Sequence, residues 1–294
     1  MKLYGVIPPM VTPFKENGDI DVGGLETLVH FLRDRVDGLF VCGSYGSGPL
    51  MSIDERKMVA ARSIEFAAGK VPVIVHTGSA ASREAAELSK HAASIGASAV
   101  SAVAPYYFHH NGDGVVAYYR AILEAVPAGF PVYVYHNPRF SGYEIDMKTM
   151  LQLADLGVAG VKDATFDIAK FSAYMSALAP QGFDVVLGTE SMWLSARSLG
   201  AEAFIPGLAN AFPELCTKMH REGIGDDYAS CRESQFLINR IRELMYLAGS
   251  TQQAVYAMLS IRGIVQCAPR SPFLAASETA MRELKQALVD LGVL

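Results

Sequence analysis

The sequence is poor in the features that mark several protein classes. It has four cysteines in 294 residues. Cys42, Cys216, Cys231 and Cys267 lie far apart without a Cys-x-x-Cys pair, which argues against a disulfide framework or a zinc ribbon and for reduced, mostly buried thiols. Basic residues do not prevail: 25 Lys and Arg against 30 Asp and Glu give a formal charge of −5. That balance offers no footprint for a nucleic-acid backbone or an anionic membrane surface. Apolar runs are short and broken by Gly, Pro or charge, so none approaches the roughly 18–20 residues of a membrane span. Met1-Lys2-Leu3-Tyr4 leads straight into Gly5-Val6-Ile7-Pro8-Pro9, without the basic start and long apolar stretch of an export signal, which predicts a cytoplasmic protein. Charge is scarce, at 19% against 51% hydrophobic residues, and this predicts an extensive core. A chain of this length buries roughly 75% of its unfolded surface and can fold as one large α/β unit.

What is present is an alternation. Short β-branched and aliphatic runs at 6–11, 38–42, 71–77, 99–104, 131–136, 158–162, 184–187 and 203–206 read as strands. Between them, residues 22–35, 53–68, 82–95, 114–126, 147–156, 168–178 and 191–198 carry helical periodicity. Val-Pro-Val-Ile-Val-His at 71–76 and Pro-Val-Tyr-Val-Tyr-His at 131–136 are nearly continuous in apolar residues, as parallel strands buried on both faces require. Ser52 with Glu55 three residues later, Asp21 and Ser82 mark helix starts. The pattern predicts an α/β protein, a (β/α)8 TIM barrel over residues 1–210 with a C-terminal helical extension over 211–294 packed on it.

In such a barrel the chemistry lies at the C-terminal strand ends. The polar residues there are Thr12, Ser44, Tyr45, Thr77, Tyr106, Tyr107, Tyr135, His136, Lys162, Asp163, Gly188, Thr189 and Glu190, with the backbone around Ile205. Lys162 interrupts the apolar run Val158-Ala159-Gly160-Val161, where an ammonium is costly without a partner or a lowered pKa. At the reference pKa, only about 0.1% of a lysine is neutral near pH 7.4, and a pKa lowered by about 3 would leave it roughly half neutral, a usable nucleophile. Two readings stay open on these residues alone: an activated amine, or an ion pair with Asp163 or another strand-end carboxylate. Tyr135 is either a proton donor and acceptor at the barrel mouth or a buried aromatic.

Gly43-Ser44-Tyr45-Gly46-Ser47-Gly48 can cradle an anion on its N–H groups or serve as a plain turn. It is neither a P-loop nor a dinucleotide fingerprint. His109-His110 lacks the spacing and third ligand of a metal site, so an exposed loop is expected and no metal is assigned. No G-x-S-x-G elbow occurs, which argues against an α/β hydrolase.

Taken in order, Val11-Thr12-Pro13-Phe14, Gly43-Ser44-Tyr45-Gly46, Ala104-Pro105-Tyr106-Tyr107, Tyr135-His136-Asn137-Pro138-Arg139-Phe140-Ser141-Gly142, Gly160-Val161-Lys162-Asp163-Ala164-Thr165, Gly188-Thr189-Glu190 and Gly207-Leu208-Ala209-Asn210 form a collinear set. The whole chain resembles the dihydrodipicolinate synthase and N-acetylneuraminate lyase family of class I pyruvate aldolases. The resemblance implies a lyase in which Lys162 forms a Schiff base with pyruvate or a related 2-oxo acid, so that no dissociable cofactor is needed. It implies that Tyr135 shuttles protons, that Ser44 links it to Tyr107, and that Tyr107 comes from a neighbouring subunit of a homotetramer, a dimer of dimers. Gly43, Ser44 and Tyr45 would hold the acid's carboxylate and the Ile205 carbonyl would line the Schiff-base pocket. Phe140, Arg139, Gly188 and Glu190 would meet the aldehyde partner.

The departures are informative. Synthases of the lysine pathway carry Gly-Thr-Thr-Gly-Glu where this chain has Gly43-Ser44-Tyr45-Gly46-Ser47. Their carboxylate-binding arginine falls at Phe140, with Arg139 one residue early. Sialic acid lyases share Ser at position 44 and an apolar residue at 140, but their Gly-x-Asp-Glu segment appears here as Gly188-Thr189-Glu190-Ser191. The expectation is an aldolase or hydro-lyase for a 2-oxo acid whose distal part is less polar or smaller than sialic acid. Two alternatives remain: a true dihydrodipicolinate synthase condensing pyruvate with aspartate semialdehyde, and a non-catalytic 2-oxo-acid sensor.

Overall fold

The structure, a computed structural model, describes residues 2–294. Eight parallel strands form one sheet: β1 (Gly5–Val6), β2 (Leu39–Val41), β3 (Val73–His76), β4 (Ala99–Val103), β5 (Val132–His136), β6 (Gly160–Asp163), β7 (Asp184–Leu187) and β8 (Ala203–Phe204). Each pairs with its sequence neighbour from β2 to β8, and β8 pairs with β1. The seam between β1 and β2 is closed by backbone bonds in which the Phe40 N–H donates to the Pro8 carbonyl (3.0 Å) and the Met10 N–H to the Phe40 carbonyl (2.8 Å). The protein is therefore a (β/α)8 barrel. The run at 6–11 is regular only at its start, because Pro8 and Pro9 lack the N–H groups that a longer ladder needs.

The helices between the strands are α1 (Val22–Arg33), α2 (Ile53–Ala67), α3 (Ser82–Ser94), α4 (Gly112–Ala125), α5 (Pro138–Ser141), α6 (Met147–Leu156), α7 (Ile168–Ala177) and α8 (Trp193–Ser198). Ser52 and Glu55 form the expected capping box on α2: the Ser52 hydroxyl accepts from the Glu55 N–H, and the Glu55 carboxylate accepts from the Ser52 N–H. At α3 the expected cap is displaced: Ser82 is the first helical residue and Ala81 precedes it as the cap. The single turn α5 was not expected. It forms because Asn137 caps it by accepting from the Arg139 N–H, and Pro138 fits the first helical position.

Side chains alternate across each strand, which builds two cores. Ile7, Phe40, Ile74, Tyr133, Val186 and Ile205 fill the barrel interior, while a larger apolar layer joins the outer strand faces to the helices. After β8 the chain continues as α9 (Pro213–Ile224), α10 (Tyr228–Met245), α11 (Thr251–Ile261) and α12 (Glu278–Asp290). These helices are tied to the barrel by specific bonds. The Tyr256 hydroxyl donates to the Thr12 carbonyl (2.8 Å), and the Trp193 indole donates to the Met219 carbonyl (3.1 Å). No helix among the described residues is long and apolar enough to cross a membrane.

Candidate active site

Lys162 is 4% exposed and points into the barrel from β6. Its Nζ lies 4.1 Å from the centre of the Phe40 ring and 3.9 Å from that of Tyr135. No carboxylate among the described residues pairs with it. Asp163, the next residue on the strand, faces the other side, and its Oδ1 accepts from the Thr165 N–H at 3.0 Å. The ion-pair reading of Lys162 is thereby overturned. Burial without a counter-ion lowers its pKa to about 7, because two ring faces stabilise an ammonium far less than water does. Asp163 is pushed up to about 6, chiefly by its own burial.

Register fixes the neighbour. Tyr135 on β5 is the Cα partner of Lys162, so both side chains rise from one layer of the interior. The Tyr135 hydroxyl accepts from Asn137 Nδ2 at 3.1 Å. Burial raises its pKa, and hydrogen bonds with Ser44 and Asn137 oppose that rise. Tyr135 is thus buried yet hydrogen-bonded to Ser44 and Asn137.

The loop after β2 depends on glycine. A Cβ on Gly43 would meet the Phe40 ring at 2.6 Å, and one on Gly48 would meet the Cys42 carbonyl at 2.0 Å. The loop is drawn together by the Gly48 N–H on the Gly43 carbonyl (3.0 Å), and held to the β1 side by the Thr12 hydroxyl on the Gly46 carbonyl (2.7 Å). The N–H groups of Ser44 and Tyr45 bond to no acceptor among the described residues. Two free donors at a strand end can take a carboxylate. Ile205 continues β8, its N–H bonded to the Leu187 carbonyl at 2.8 Å, while its own carbonyl accepts no bond from the described residues.

A cavity of about 280 Å³ opens above this layer, lined by Ser44, Tyr45 and Tyr135 on one side and by Arg139, Phe140, Gly188 and Glu190 on the other. Gly188 sits where a Cβ would strike the Asp163 carbonyl at 2.6 Å. Glu190 is 1% exposed. Its Oε1 is 2.6 Å from Arg242 Nη1, and its Oε2 accepts from the Gly207 N–H at 3.1 Å. Lys162, Gly43 and Ile205 are buried next to residues of this cavity but are not in its lining; Tyr107 is turned away from it, 87% exposed with its ring against Phe108.

Several site residues escape sequence reasoning. Arg242 reaches the cavity from α10, and Phe166 lies beneath the Arg139 guanidinium at 4.8 Å. His76, 2% exposed, packs edge-on against Tyr135 with ring centres 5.8 Å apart. Only His76 left a signal, as the polar end of an apolar strand. His109 and His110 pack against the Tyr143 ring, at 5.0 and 6.1 Å between centres.

Comparison with known proteins places these features in one lineage. Residues 2–291 match the model of the dihydrodipicolinate synthetase family. A 4-hydroxy-tetrahydrodipicolinate synthase of Bradyrhizobium diazoefficiens is 30% identical over 100% of this chain and 98% of its own length. A prophage protein of E. coli K12 belonging to the dihydrodipicolinic acid synthase family, solved in complex with pyruvate, superposes with a TM-score of 0.94 at 26% identity, covering 99% of both chains. A catalytic-lysine mutant of the Ruminococcus gnavus sialic acid aldolase gives 0.91 at 26% identity, again over 99% of both chains. The chain belongs to the dihydrodipicolinate synthetase family and is a lyase of the dihydrodipicolinate synthase and N-acetylneuraminate lyase type.

Proposed function

We propose that Lys162 condenses with the ketone of pyruvate or a related 2-oxo acid, and that the imine serves carbon–carbon bond formation or cleavage. The observation that carries this is an unpaired lysine amine held between two rings at the mouth of the barrel. The neutral amine attacks C2 of the 2-oxo acid, and the ketone oxygen takes a proton from Tyr135. Loss of that oxygen as water gives the imine, with Tyr135, whose ring lies against the nitrogen, as the proton donor. Removal of a methyl proton then forms an enamine, whose carbon bonds to an aldehyde. Water cleaves the product imine and restores Lys162.

The free N–H groups of Ser44 and Tyr45 suit the acid's carboxylate, and Gly43 lets that loop approach the Phe40 ring. The unbonded Ile205 carbonyl can accept from the carbinolamine. Arg139, Phe140, Gly188 and Glu190 would face the aldehyde. No dissociable cofactor is required, because the protonated imine is itself the electron sink. Ser44 would extend the proton path to Tyr107 of a second copy in a homotetramer. Tyr107 supports this reading: it is exposed and held at φ +80°, which is strained for a residue with a bulky side chain. A cytoplasmic setting suits four free thiols.

Lysine-pathway synthesis fits less well, since the half-exposed Phe140 stands where that group carries its arginine. Incubation with pyruvate and borohydride tests the reading. The expected result is a reduced adduct mapped to Lys162 by mass spectrometry, and no adduct refutes it. A sensor would bind pyruvate and turn over no aldehyde.

A further inference from the structure

We propose that the aldehyde partner carries a flat apolar ring, so that this lyase joins pyruvate to an aromatic aldehyde or releases one. The inference rests on the Schiff-base reading above. In the reaction, the methyl carbon of pyruvate bonds to the aldehyde carbon and the methyl proton passes to the aldehyde oxygen. The water lost on imine formation is matched by the water that cleaves it. The product is a 4-aryl-4-hydroxy-2-oxobutanoate.

Glu190, Thr189, Ser250, Thr251 and Gln252 on the distal wall of the cavity are engaged with the protein, while the Arg139 guanidinium and the Tyr246 hydroxyl have no hydrogen-bond partner among the described residues. Both oxygens of Glu190 are bonded, to Arg242 and to the Gly207 N–H. The Thr189 hydroxyl meets Ser191 Oγ at 3.0 Å, and the Ser250 hydroxyl meets Gln253 Oε1 at 2.8 Å. Thr251 bonds the Tyr45 hydroxyl, and the Gln252 amide nitrogen donates to the Tyr45 carbonyl and to Ser47 Oγ. A polyol entering here would lose its hydration and find these partners already taken.

Aromatic surface is what the wall offers instead. Phe140 and Tyr246 border the cavity at 54% and 62% exposure, beside Phe166 and Phe273. Exposed rings gathered at a cavity mouth mark a binding surface. Phe166 is held at φ +61°, a conformation costly for a bulky side chain, which points to a ring kept in place for contact. The Arg139 guanidinium lies over this ring at 4.8 Å, with Arg242 at 6.0 Å, and Arg139 has no carboxylate partner among the described residues, so it offers a cationic group against which a second ring can pack. A benzene ring fits a space of about 150 Å³, and the cavity of about 280 Å³ takes such a ring with a three-carbon acid.

The test condenses pyruvate with equal concentrations of benzaldehyde, glyceraldehyde and succinate semialdehyde on the full chain, with each hydroxy-oxo acid quantified by mass spectrometry. Benzaldehyde is expected to exceed each of the others in kcat/KM by at least about tenfold. Phe166→Ala and the surface change Phe140→Ala should bring that ratio toward unity. A preference for glyceraldehyde or for the carboxylate-bearing aldehyde, no product from any aldehyde, or a ratio untouched in both variants overturns the proposal. Borohydride trapping separates the two claims: a Lys162 adduct with no benzaldehyde preference refutes the aromatic partner alone, whereas no adduct refutes the Schiff-base reading as well.

Discussion

The barrel buries an ionisable group at each end, and the two are treated in opposite ways. Near the N-terminal ends of the strands, Asp184 Oδ2 accepts from the Leu3 N–H and from the Tyr133 hydroxyl, both at 2.8 Å. Near the C-terminal ends, Lys162 has two aromatic faces and no hydrogen-bond acceptor among the described residues. A buried acid supplied with partners ties the segment before β1 to the barrel, whereas a buried amine left without them is held ready to lose its proton. Cavity size does not make the same distinction. A larger cleft of about 510 Å³ lies at the N-terminal end beside Asp34 and Lys70, but those two groups pair with each other at 2.5 Å. Its one buried polar side-chain atom without a partner among the described residues is Nε of Arg33, on a guanidinium that stays protonated and cannot serve as a nucleophile.

Substitutions at the two ends should separate activity from stability. Lys162→Ala should abolish pyruvate trapping and lower turnover by more than about 10³-fold, since no other amine in the layer can replace the nucleophile. Its stability should rise, most clearly below pH 7. The sign follows from linkage: between pH 7 and 10.5 the unfolded lysine holds a proton that the folded one has lost, so wild-type stability climbs with pH across that window. Denaturant melts of both proteins at pH 6 and pH 10 check this, and an unchanged difference between the two pH values contradicts it. Tyr135→Phe should keep the ring against Lys162 and remove the proton carrier, lowering kcat by about 10²–10⁴-fold with little change in melting. Asp184→Asn should do the reverse, costing about 1–3 kcal/mol through weakened buried bonds to Leu3 and Tyr133 while trapping per folded molecule is maintained. Loss of trapping in folded Asp184→Asn would show that the two ends are not independent.

Much of this contrast was legible in the sequence. Lys162 betrayed itself by interrupting an apolar strand, and Tyr135 by its place in a motif collinear with the family's. The strands whose length is set by continuous apolar residues, such as β5, were read to within a residue. Others were not, for local reasons: the prolines at 8 and 9 remove ladder donors, and Asn137 with Pro138 creates a helical turn too short to show a period. The ion-pair reading of Lys162 could not be settled from adjacency, because neighbouring strand residues face opposite ways. Arg242 was invisible because it arrives from α10, and no sequence spacing links it to Glu190. Phe40 was hidden by being apolar within an apolar strand, although its ring is one wall of the lysine's enclosure.

The most direct test of the central claim is the rate of borohydride-trapped pyruvate adduct at Lys162 followed from pH 5 to pH 11, at saturating pyruvate and with mass-spectrometric mapping. An amine made reactive by burial predicts a rate that rises through about pH 7 and is level above it. A rise centred near pH 10, as for a solvated lysine, or an adduct at any other residue would contradict the account.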